Sequence, residues 1–423
     1  MTLTITLACL AGGNVLLTLL IQWCIITRLG IGSETDALFA GIALPQLILN
    51  IAASSLTLVL VPLLATKDES SFGQDAWAFL LAIGAIFALL ALVFYATAGL
   101  WVRWLVPGFS PDSQALTVGL ARIQLVTMVF AIAASVPISA WQARRKFVRA
   151  EVSSLISTLG ALLMLLWLFP RYGVFAAAWS LGLRAGLQIL WLLPGVMRPE
   201  WPQWKSPTVL EAWRRARRLL FSTAYYQTDT LVDRFLSSIS QTGGLSSLYL
   251  AQQFYGAANL VGDRAIAVPM TPPLALAAQG GNWSTFKTLY RKRLLAMGIL
   301  SSTIYLSLFF FGNAILRLLI GYGTVTAENV RLLWLMMISL GGFYLAGTMG
   351  QITSKTFYAM GDTRTPTRLS VLLYTVYIPA KIFIFFAYGL MGLAVTTSVY
   401  VAVTLALQVL LLERFVLPRR ELR

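Results

Sequence analysis

The chain contains no histidine and only two cysteines, and charged residues make up 11% of its 423 positions. Without histidine, most metal sites, the usual catalytic triads and a histidine proton switch are excluded. Cys9 and Cys24 both fall in the first apolar run, so no disulfide framework or cysteine metal site is predicted. No G-x-x-x-x-G-K-[ST] segment occurs, so we expect no ATP hydrolysis. These absences favour a protein that is not an enzyme and that holds no metal or cofactor.

Hydrophobic residues make up 58% of the chain. A soluble domain carries about a quarter charged residues, so this chain cannot cover itself with a polar surface. The net charge of +16 would suggest a nucleic-acid partner in a soluble protein. Here the basic residues lie in short clusters between apolar runs, which membrane topology explains. We therefore predict an all-α polytopic membrane protein without a nucleic-acid partner.

Twelve apolar runs approach or exceed the roughly 20 residues that a helix needs to cross the hydrocarbon layer. Most of the 32 Lys and Arg residues lie in the links after even-numbered runs and in the C-terminal tail. Basic links of membrane proteins remain on the cytoplasmic side. The links after even-numbered runs lie on the same side as both termini, so both termini are predicted to be cytoplasmic. The eighth run contains Pro269, Pro272 and Pro273, where we expect a kink. The runs cover 3–27, 37–65, 76–102, 115–140, 151–169, 173–195, 218–240, 246–278, 294–320, 329–353, 366–387 and 389–412.

Two basic turns indicate that the chain is duplicated. Residues 140–155 and 356–371 align at an offset of 216, and the same offset places Tyr172-Gly173 on Tyr388-Gly389. Each Tyr-Gly pair is followed by a run ending in L-Q-[IV]-L, shifted there by four residues. Two halves of six helices would be related by a pseudo-two-fold axis along the membrane normal, as in rocking transporters. The predicted parts are an N-terminal lobe at 1–197, a cytoplasmic linker at 198–217 and a C-terminal lobe at 218–423.

Two segments resemble a known family. "GSETDALFAGIALPQLI" near the start and "KTFYAMGDTRTPTR" near the end are similar to the MurJ (MviN) flippases of the multidrug/oligosaccharidyl-lipid/polysaccharide (MOP) exporter superfamily. The resemblance covers nearly the whole chain, and the second segment is its more specific part. It implies an alternating-access carrier of the bacterial cytoplasmic membrane. The implied substrate is an undecaprenyl-linked glycan, which is lipid II in the type members.

Other functions remain open from the sequence. A small-molecule or drug antiporter of the same superfamily (MATE-like) would share the helix pattern, and a non-transporting membrane scaffold would as well. A membrane-embedded glycosyl- or phosphotransferase would need an acidic cluster near one interface. The outer links hold only scattered acids, namely Glu34, Asp36, Asp112 and Glu328. We expect a monomer whose partners are membrane lipids and the lipid-linked glycan.

The sequence departs from the family at the cavity arginines. The resemblance implies arginines in helices 1, 2 and 8, but those positions fall near Gln22, at Leu49 or Asn50, and at Gln252-Gln253. A pyrophosphate in a low-dielectric cavity needs cationic partners. Either other residues supply the positive charge, or the substrate is not lipid II.

Polar side chains are concentrated in runs 1, 2, 7 and 8, the first two of each half. We expect these runs to line a hydrated cavity, and hydrogen bonding between helices is the alternative. Arg122 and Arg184, in runs 4 and 6, are instead expected to contact a partner within their lobe or a lipid headgroup. The candidate cavity residues are Asn14, Gln22, Arg28, Asn50, Arg234, Gln252, Gln253, Asn259 and Arg264.

Asp233 and Lys381 are the candidate coupling pair. Both lie roughly 21–23 Å from the cytoplasmic start of their runs, at about 1.5 Å per residue. The resemblance implies a cation site formed by the aspartate of "LVD" and by positions in the eleventh helix, one of which is Lys381. Our hypothesis is that the lysine ammonium replaces the bound cation, and a static ion pair is the alternative. Coupling to a cation or a proton is left open.

The polar turn between runs 10 and 11 is the candidate cytoplasmic hinge. Gly361 allows a tight turn, Asp362 or Thr363 can cap the next helix, and Pro366 suits its start. Together with Arg364, these residues are predicted to form a rigid corner that transmits lobe motion. The alternative is a plain turn of a helix hairpin.

Overall fold

The computed structural model describes residues 2–66, 69–194 and 207–417. These residues form α-helices and two π-helical turns, without a strand in the described ranges. The chain divides into two compact units, Met1–Leu245 and Ser246–Arg423. The helices are α1 (Thr2–Leu29), α2 (Ser33–Ala65), α3 (Glu69–Ala96), α4 (Ala98–Leu105), α5 (Pro111–Ala143), α6 (Phe147–Tyr172), α7 (Val174–Leu192), α8 (Pro207–Ser238), α9 (Gly244–Gly262), α10 (Val268–Gln279), α11 (Trp283–Ile320), α12 (Ala327–Ser339), α13 (Gly341–Ala359) and α14 (Arg364–Leu411).

The helices confirm a multi-pass membrane protein. Within the described residues, eight helices are long and apolar enough to cross a membrane, and the pair α12 and α13, bent by 44°, would make a ninth. Helix α14 has 48 residues and is broken at Gly389, where the backbone leaves the helical region. This break lies at the first residue of the twelfth predicted run. The figure of twelve crossings stays a prediction.

Short polar residues in the links cap the starts of two helices. The Ser110 hydroxyl accepts a hydrogen bond from the Ser113 amide, with Pro111 at the first helical position of α5. The Asn282 side chain accepts from the Thr285 amide at the start of α11. Each bond satisfies one of the backbone amides that a helix start leaves without a partner.

The eighth predicted run is interrupted next to its prolines, and the kink itself stays a prediction. A π-helical turn, Asp263–Ala267, separates α9 from α10, and all three prolines lie inside α10. Proline has no amide hydrogen, so Pro269 cannot donate to the carbonyl of Ala265, and its ring crowds that carbonyl. The wider π-helical turn contains this carbonyl and accommodates the missing hydrogen bond.

The core of the first unit lies between α2, α3 and α5. Leu60, Phe79 and Leu125 are nearly fully buried there. A methyl group at Gly41 would lie only 3.1 Å from the backbone nitrogen of Ala121, so glycine allows α2 and α5 to approach closely. This contact brings the polar residues of α2 towards those of α5.

The two basic turns share their backbone geometry at the offset of 216. Arg145 and Gly361 both have a positive φ, at 58° and 78°. The amide after each residue donates to a carbonyl five residues back, from Lys146 to Trp141 and from Asp362 to Phe357. Gly173 and Gly389, at the same offset, also have positive φ angles of 52° and 64°. The repeated geometry supports the duplication. The lobe limits stay a prediction, and 198–206 of the predicted linker lie outside the described residues.

Candidate functional site

The first unit encloses a cavity of about 390 Å³ between α2, α5 and α7, which we name the first polar cavity. Such a volume lies within the range of small-ligand sites. Apolar residues such as Ile42, Leu49 and Met128 form part of its wall. Its polar side chains are Gln46, Asn50, Gln124, Thr127, Arg184 and Gln188.

Hydrogen bonds hold the polar wall in place. Gln124 of α5 donates through Nε2 to the carbonyl of Ala178 on α7, at 3.3 Å. The Gln46 amide donates to Asn50 Oδ1 at 2.8 Å, one turn along α2. Arg184 and Gln188 are four residues apart and therefore lie on one face of α7. At the other end of α7, the buried indole of Trp141 donates to the carbonyl of Leu192 at 3.0 Å.

Arg184 gives the first polar cavity its charge. It is the only charged side chain among the described residues that line the cavity. It lies near the middle of α7, about 12–15 Å from each end of the helix. No ion pair or hydrogen bond joins it to another described residue, so its predicted contact with a partner in the lobe or a lipid headgroup stays a prediction. For Arg122 that prediction is confirmed, because its guanidinium lies 5.1 Å from the ring centre of Tyr95.

The second unit has its own polar cavity, of about 410 Å³, lined by α13, α14 and the π-helical turn. We name it the second polar cavity. An ion pair between Lys355 and Asp263 lies on its wall. Gln408 accepts a hydrogen bond from Thr353 and lines the same cavity. Opposite charges are therefore matched here, in contrast to the first polar cavity.

The predicted cavity residues of α1 have distinct surroundings. Asn14 accepts a hydrogen bond from Thr158 of α6 at 2.7 Å, which is a contact between helices of the kind named as the alternative. Gln22 Oε1 is buried without a hydrogen bond within the described residues. Arg28 is exposed, and its guanidinium lies 5.2 Å from the ring centre of Phe169.

The remaining predicted cavity residues lie on α8, α9 and the π-helical turn. Arg234 is buried, Gln252 and Asn259 are half-buried, and Gln253 and Arg264 are exposed. Asn259 lies beside Gly347, a residue of the second polar cavity. A common substrate cavity for these residues stays a prediction.

Lys381 is fully buried within the second unit. Its ammonium lies 5.0 Å from the ring centre of Tyr377, a cation–π contact. Tyr377 shares a 2.9 Å hydrogen bond with Thr397 and stacks on Tyr400 with ring centres 4.2 Å apart. Asp233 is 2% exposed within the first unit. The pairing of Asp233 with Lys381 stays a prediction.

In the polar turn before α14, the Asp362 carboxylate is the capping group. Its Oδ1 accepts hydrogen bonds from the amides of Arg364 and Thr365, at 3.1 and 3.0 Å. Gly361 has a φ of 78°, and Pro366 is buried in the first turn of the helix. The turn is therefore well defined, and its role as a hinge stays a prediction.

An all-helical chain with polar cavities inside apolar bundles has the fold of a multi-pass membrane transporter. In solved structures, it is similar to "Lipid II flippase MurJ, inward closed conformation", with a TM-score of 0.84 and 17% identity over 99% of this chain and 90% of that one. It is also similar to an inward-facing MATE transporter of the MOP superfamily, with a TM-score of 0.76 and 17% identity over 98% of this chain and 95% of that one.

The family model "Lipid II flippase MurJ" matches residues 25–421. The chain therefore belongs to the MurJ lipid II flippase family. Among curated relatives, "Probable lipid II flippase MurJ" of Vibrio cholerae is 22% identical over 90% of this chain and 76% of the relative. The protein of the same name from Thermotoga maritima is 24% identical over 88% of this chain and 77% of the relative. These matches confirm the resemblance found in the two sequence segments.

Sequence reasoning missed the polar face of α7. The choice of runs 1, 2, 7 and 8 selected Asn50, left out Gln124 and Gln188, and assigned Arg184 to a partner within its lobe or a lipid headgroup. All four residues line the same cavity. A signal was present, because Gln188 belongs to the L-Q-[IV]-L segment that both halves share. The sequence did not show that α5 and α7 pack closely against each other.

Proposed function

We propose that this protein is a flippase that translocates an undecaprenyl-linked saccharide, lipid II or a related lipid-linked glycan, across the bacterial cytoplasmic membrane by alternating access. The observation that carries the proposal is the MurJ family match over residues 25–421. A lipid-linked saccharide has a polar head that must cross about 30 Å of hydrocarbon. Polar cavities inside an apolar bundle suit such a head, since buried hydroxyls need hydrogen-bonding partners.

The wall of the first polar cavity suits a sugar. Four amide side chains and one threonine contribute both donors and acceptors. A drug antiporter is the less favoured function, because the family model and the curated relatives in the comparison are MurJ proteins. We further propose that the protein acts as a carrier without catalysing a chemical reaction, and that it works as a monomer.

The proposed topology places both termini in the cytoplasm. Basic turns such as 144–149 and 364–368 then lie on the inner face, where basic residues are retained. Single cysteines at Ser110 and Thr363, in a background without Cys9 and Cys24, would test it in intact cells. A membrane-impermeant maleimide should label the cysteine at 110 and not the one at 363, and the reverse pattern would contradict the topology.

The function is tested with purified protein in liposomes that contain fluorescent lipid II. An impermeant reductant destroys the outer-leaflet fluorophores, so a flippase raises the accessible fraction from about half towards completeness. Undecaprenyl-linked glycans of other composition and a cationic drug serve as competing substrates, and protein-free liposomes serve as the control. Drug transport without movement of any lipid-linked glycan would favour the antiporter, and no transport of either would favour a scaffold.

A further inference from the structure

The two polar cavities are lined by matching faces of repeated helices. When the shared L-Q-[IV]-L segment aligns Gln188 with Gln408, the α7 residues that line the first polar cavity fall on α14 residues that line the second. The aligned pairs are Leu181 with Val401, Arg184 with Thr404, Ala185 with Leu405, and Gln188 with Gln408. The cavities are therefore counterparts within their own units.

The counterparts differ in charge at one position. At this offset of 220 residues Thr404 aligns with Arg184, and at the offset of 216 shared by Gly173 and Gly389 the aligned residue is Tyr400. The second polar cavity balances Lys355 with Asp263, whereas the described lining of the first contains Arg184 and no carboxylate. The arginine therefore has an uncharged counterpart in the second repeat at either offset.

A cation in the middle of a membrane helix is costly unless an opposite charge or water surrounds it. Arg184 has no ion-pair partner among the described residues, and its guanidinium faces a cavity with room for a ligand. The guanidinium presents a planar set of donors that matches a phosphate or carboxylate with two parallel hydrogen bonds. Gln188, one turn further along α7, adds an amide donor on the same face.

We infer that the first polar cavity is an oxyanion site in which Arg184 binds a phosphate group and Gln188 assists. Two sources can supply that chemistry, a free phosphate or pyrophosphate and the phosphate of a lipid-linked head. The lipid source rests on the proposed function, whereas the site itself rests on the cavity and its unbalanced charge. Arg184 would then supply positive charge in a chain whose positions Gln22, Asn50, Gln252 and Gln253 are neutral.

The test measures binding of two probes to the full-length protein in nanodiscs of neutral lipid at constant ionic strength. Inorganic pyrophosphate represents the free anion, and a short-chain polyprenyl pyrophosphate represents the lipid-borne one, with the uncharged polyprenol as its control. Binding is read from the shift of the thermal unfolding midpoint with probe concentration. Saturable binding of a pyrophosphate probe, without a response to the polyprenol, is expected for the unmodified protein.

Arg184→Thr installs the residue that the other repeat uses and should weaken pyrophosphate binding by about 10- to 100-fold, the usual value of a charged hydrogen bond. Arg184→Lys keeps the charge without the planar donor set and should bind with intermediate affinity. Arg122→Gln is the matched control, because this second membrane arginine contacts Tyr95 and does not line the cavity. Its binding should equal that of the unmodified protein.

The inference is overturned if neither probe binds, if Arg184→Thr binds as tightly as the unmodified protein, or if Arg122→Gln loses as much affinity. Binding of the polyprenyl probe alone assigns the site to a lipid headgroup, and equal binding of both probes assigns it to a free oxyanion. If the protein binds the anion but does not transport lipid in liposomes, the proposed flippase function is wrong and the inferred oxyanion site still stands.

Discussion

The carboxylate of Asp36, at the start of α2, accepts a hydrogen bond from the backbone amide of Gly243 at 2.6 Å. Asp36 is 4% exposed, so the bond is shielded from water. Gly243 has a φ of 84° and lies in the link between α8 and α9. The contact joins two segments of the first unit that are 207 residues apart in sequence. It gives an acidic residue of a predicted outer link a structural role.

Gly243→Ala should destabilise the protein by about 1–2 kcal/mol, because a positive φ is unfavourable for residues with a Cβ. The added methyl would also lie 3.0 Å from Ile31 Cγ2 and 3.2 Å from the Ile31 carbonyl oxygen. The thermal unfolding midpoint in detergent measures the effect. Gly84→Ala is the control, since a Cβ there meets no atom within 4 Å and the residue lies inside helix α3, where alanine is favourable. Equal midpoints for the two variants would contradict the prediction.

Gly389→Ala should lower the unfolding midpoint through backbone strain alone. The φ of 64° and ψ of −151° lie in a region that is essentially limited to glycine, with a cost of about 1–3 kcal/mol. A Cβ there would meet no atom within 4 Å, so no clash contributes. Gly256→Ala, in the helical conformation of α9 and also in open space, should be neutral or stabilising. An unchanged midpoint for the variant at 389 would show that the break in α14 does not need glycine.

Lys381→Met tests the hypothesis that the lysine ammonium stands in place of a cation. If it does, removing the ammonium should create a site that sodium fills, and the unfolding midpoint should then rise with sodium and not with choline at equal ionic strength. The unmodified protein should respond equally to both salts. Tyr377→Phe is the control, because it removes the hydroxyl that bonds Thr397 and keeps the ring beneath the ammonium. If the unfolding midpoint of Lys381→Met does not rise specifically with sodium, the static ion pair is the better interpretation.

Arg291→Lys should remove part of the stability of the second unit although the charge is kept. Arg291 donates through Nε and Nη2 to the two carboxylate oxygens of Glu413, at 2.9 and 2.6 Å. Lysine cannot form this paired contact. The exposed position limits the expected loss to about 0.2–1 kcal/mol. A double-mutant cycle with Glu413→Gln measures the coupling, which should shrink at high salt, and a coupling of zero would contradict the prediction.

Sequence reasoning predicted the local structure because its causes are local. A run of about 20 apolar residues can cross hydrocarbon only with its backbone hydrogen bonds satisfied internally, so it forms a helix. Gly389 and Gly361 mark backbone conformations that residues with a Cβ avoid, and the structure has positive φ angles at both. The family segments are equally local, and the family model confirmed them. The prolines of the eighth run likewise lie next to a π-helical turn, because proline disturbs the helical turn before it.

Tertiary packing decided which polar side chains lie in the same cavity. Gln124, Arg184 and Asn50 come from three helices, and only the close contacts of α2, α5 and α7 bring them to one wall. Asn14 likewise contacts Thr158, 144 residues away. In an apolar chain, the hydrophobic pattern gives little information about which helix face meets which neighbour, because lipid-facing and protein-facing sides are both apolar. The sequence by itself therefore determined the helices, the turns and the family, whereas packing decided where the unbalanced charge of Arg184 is placed.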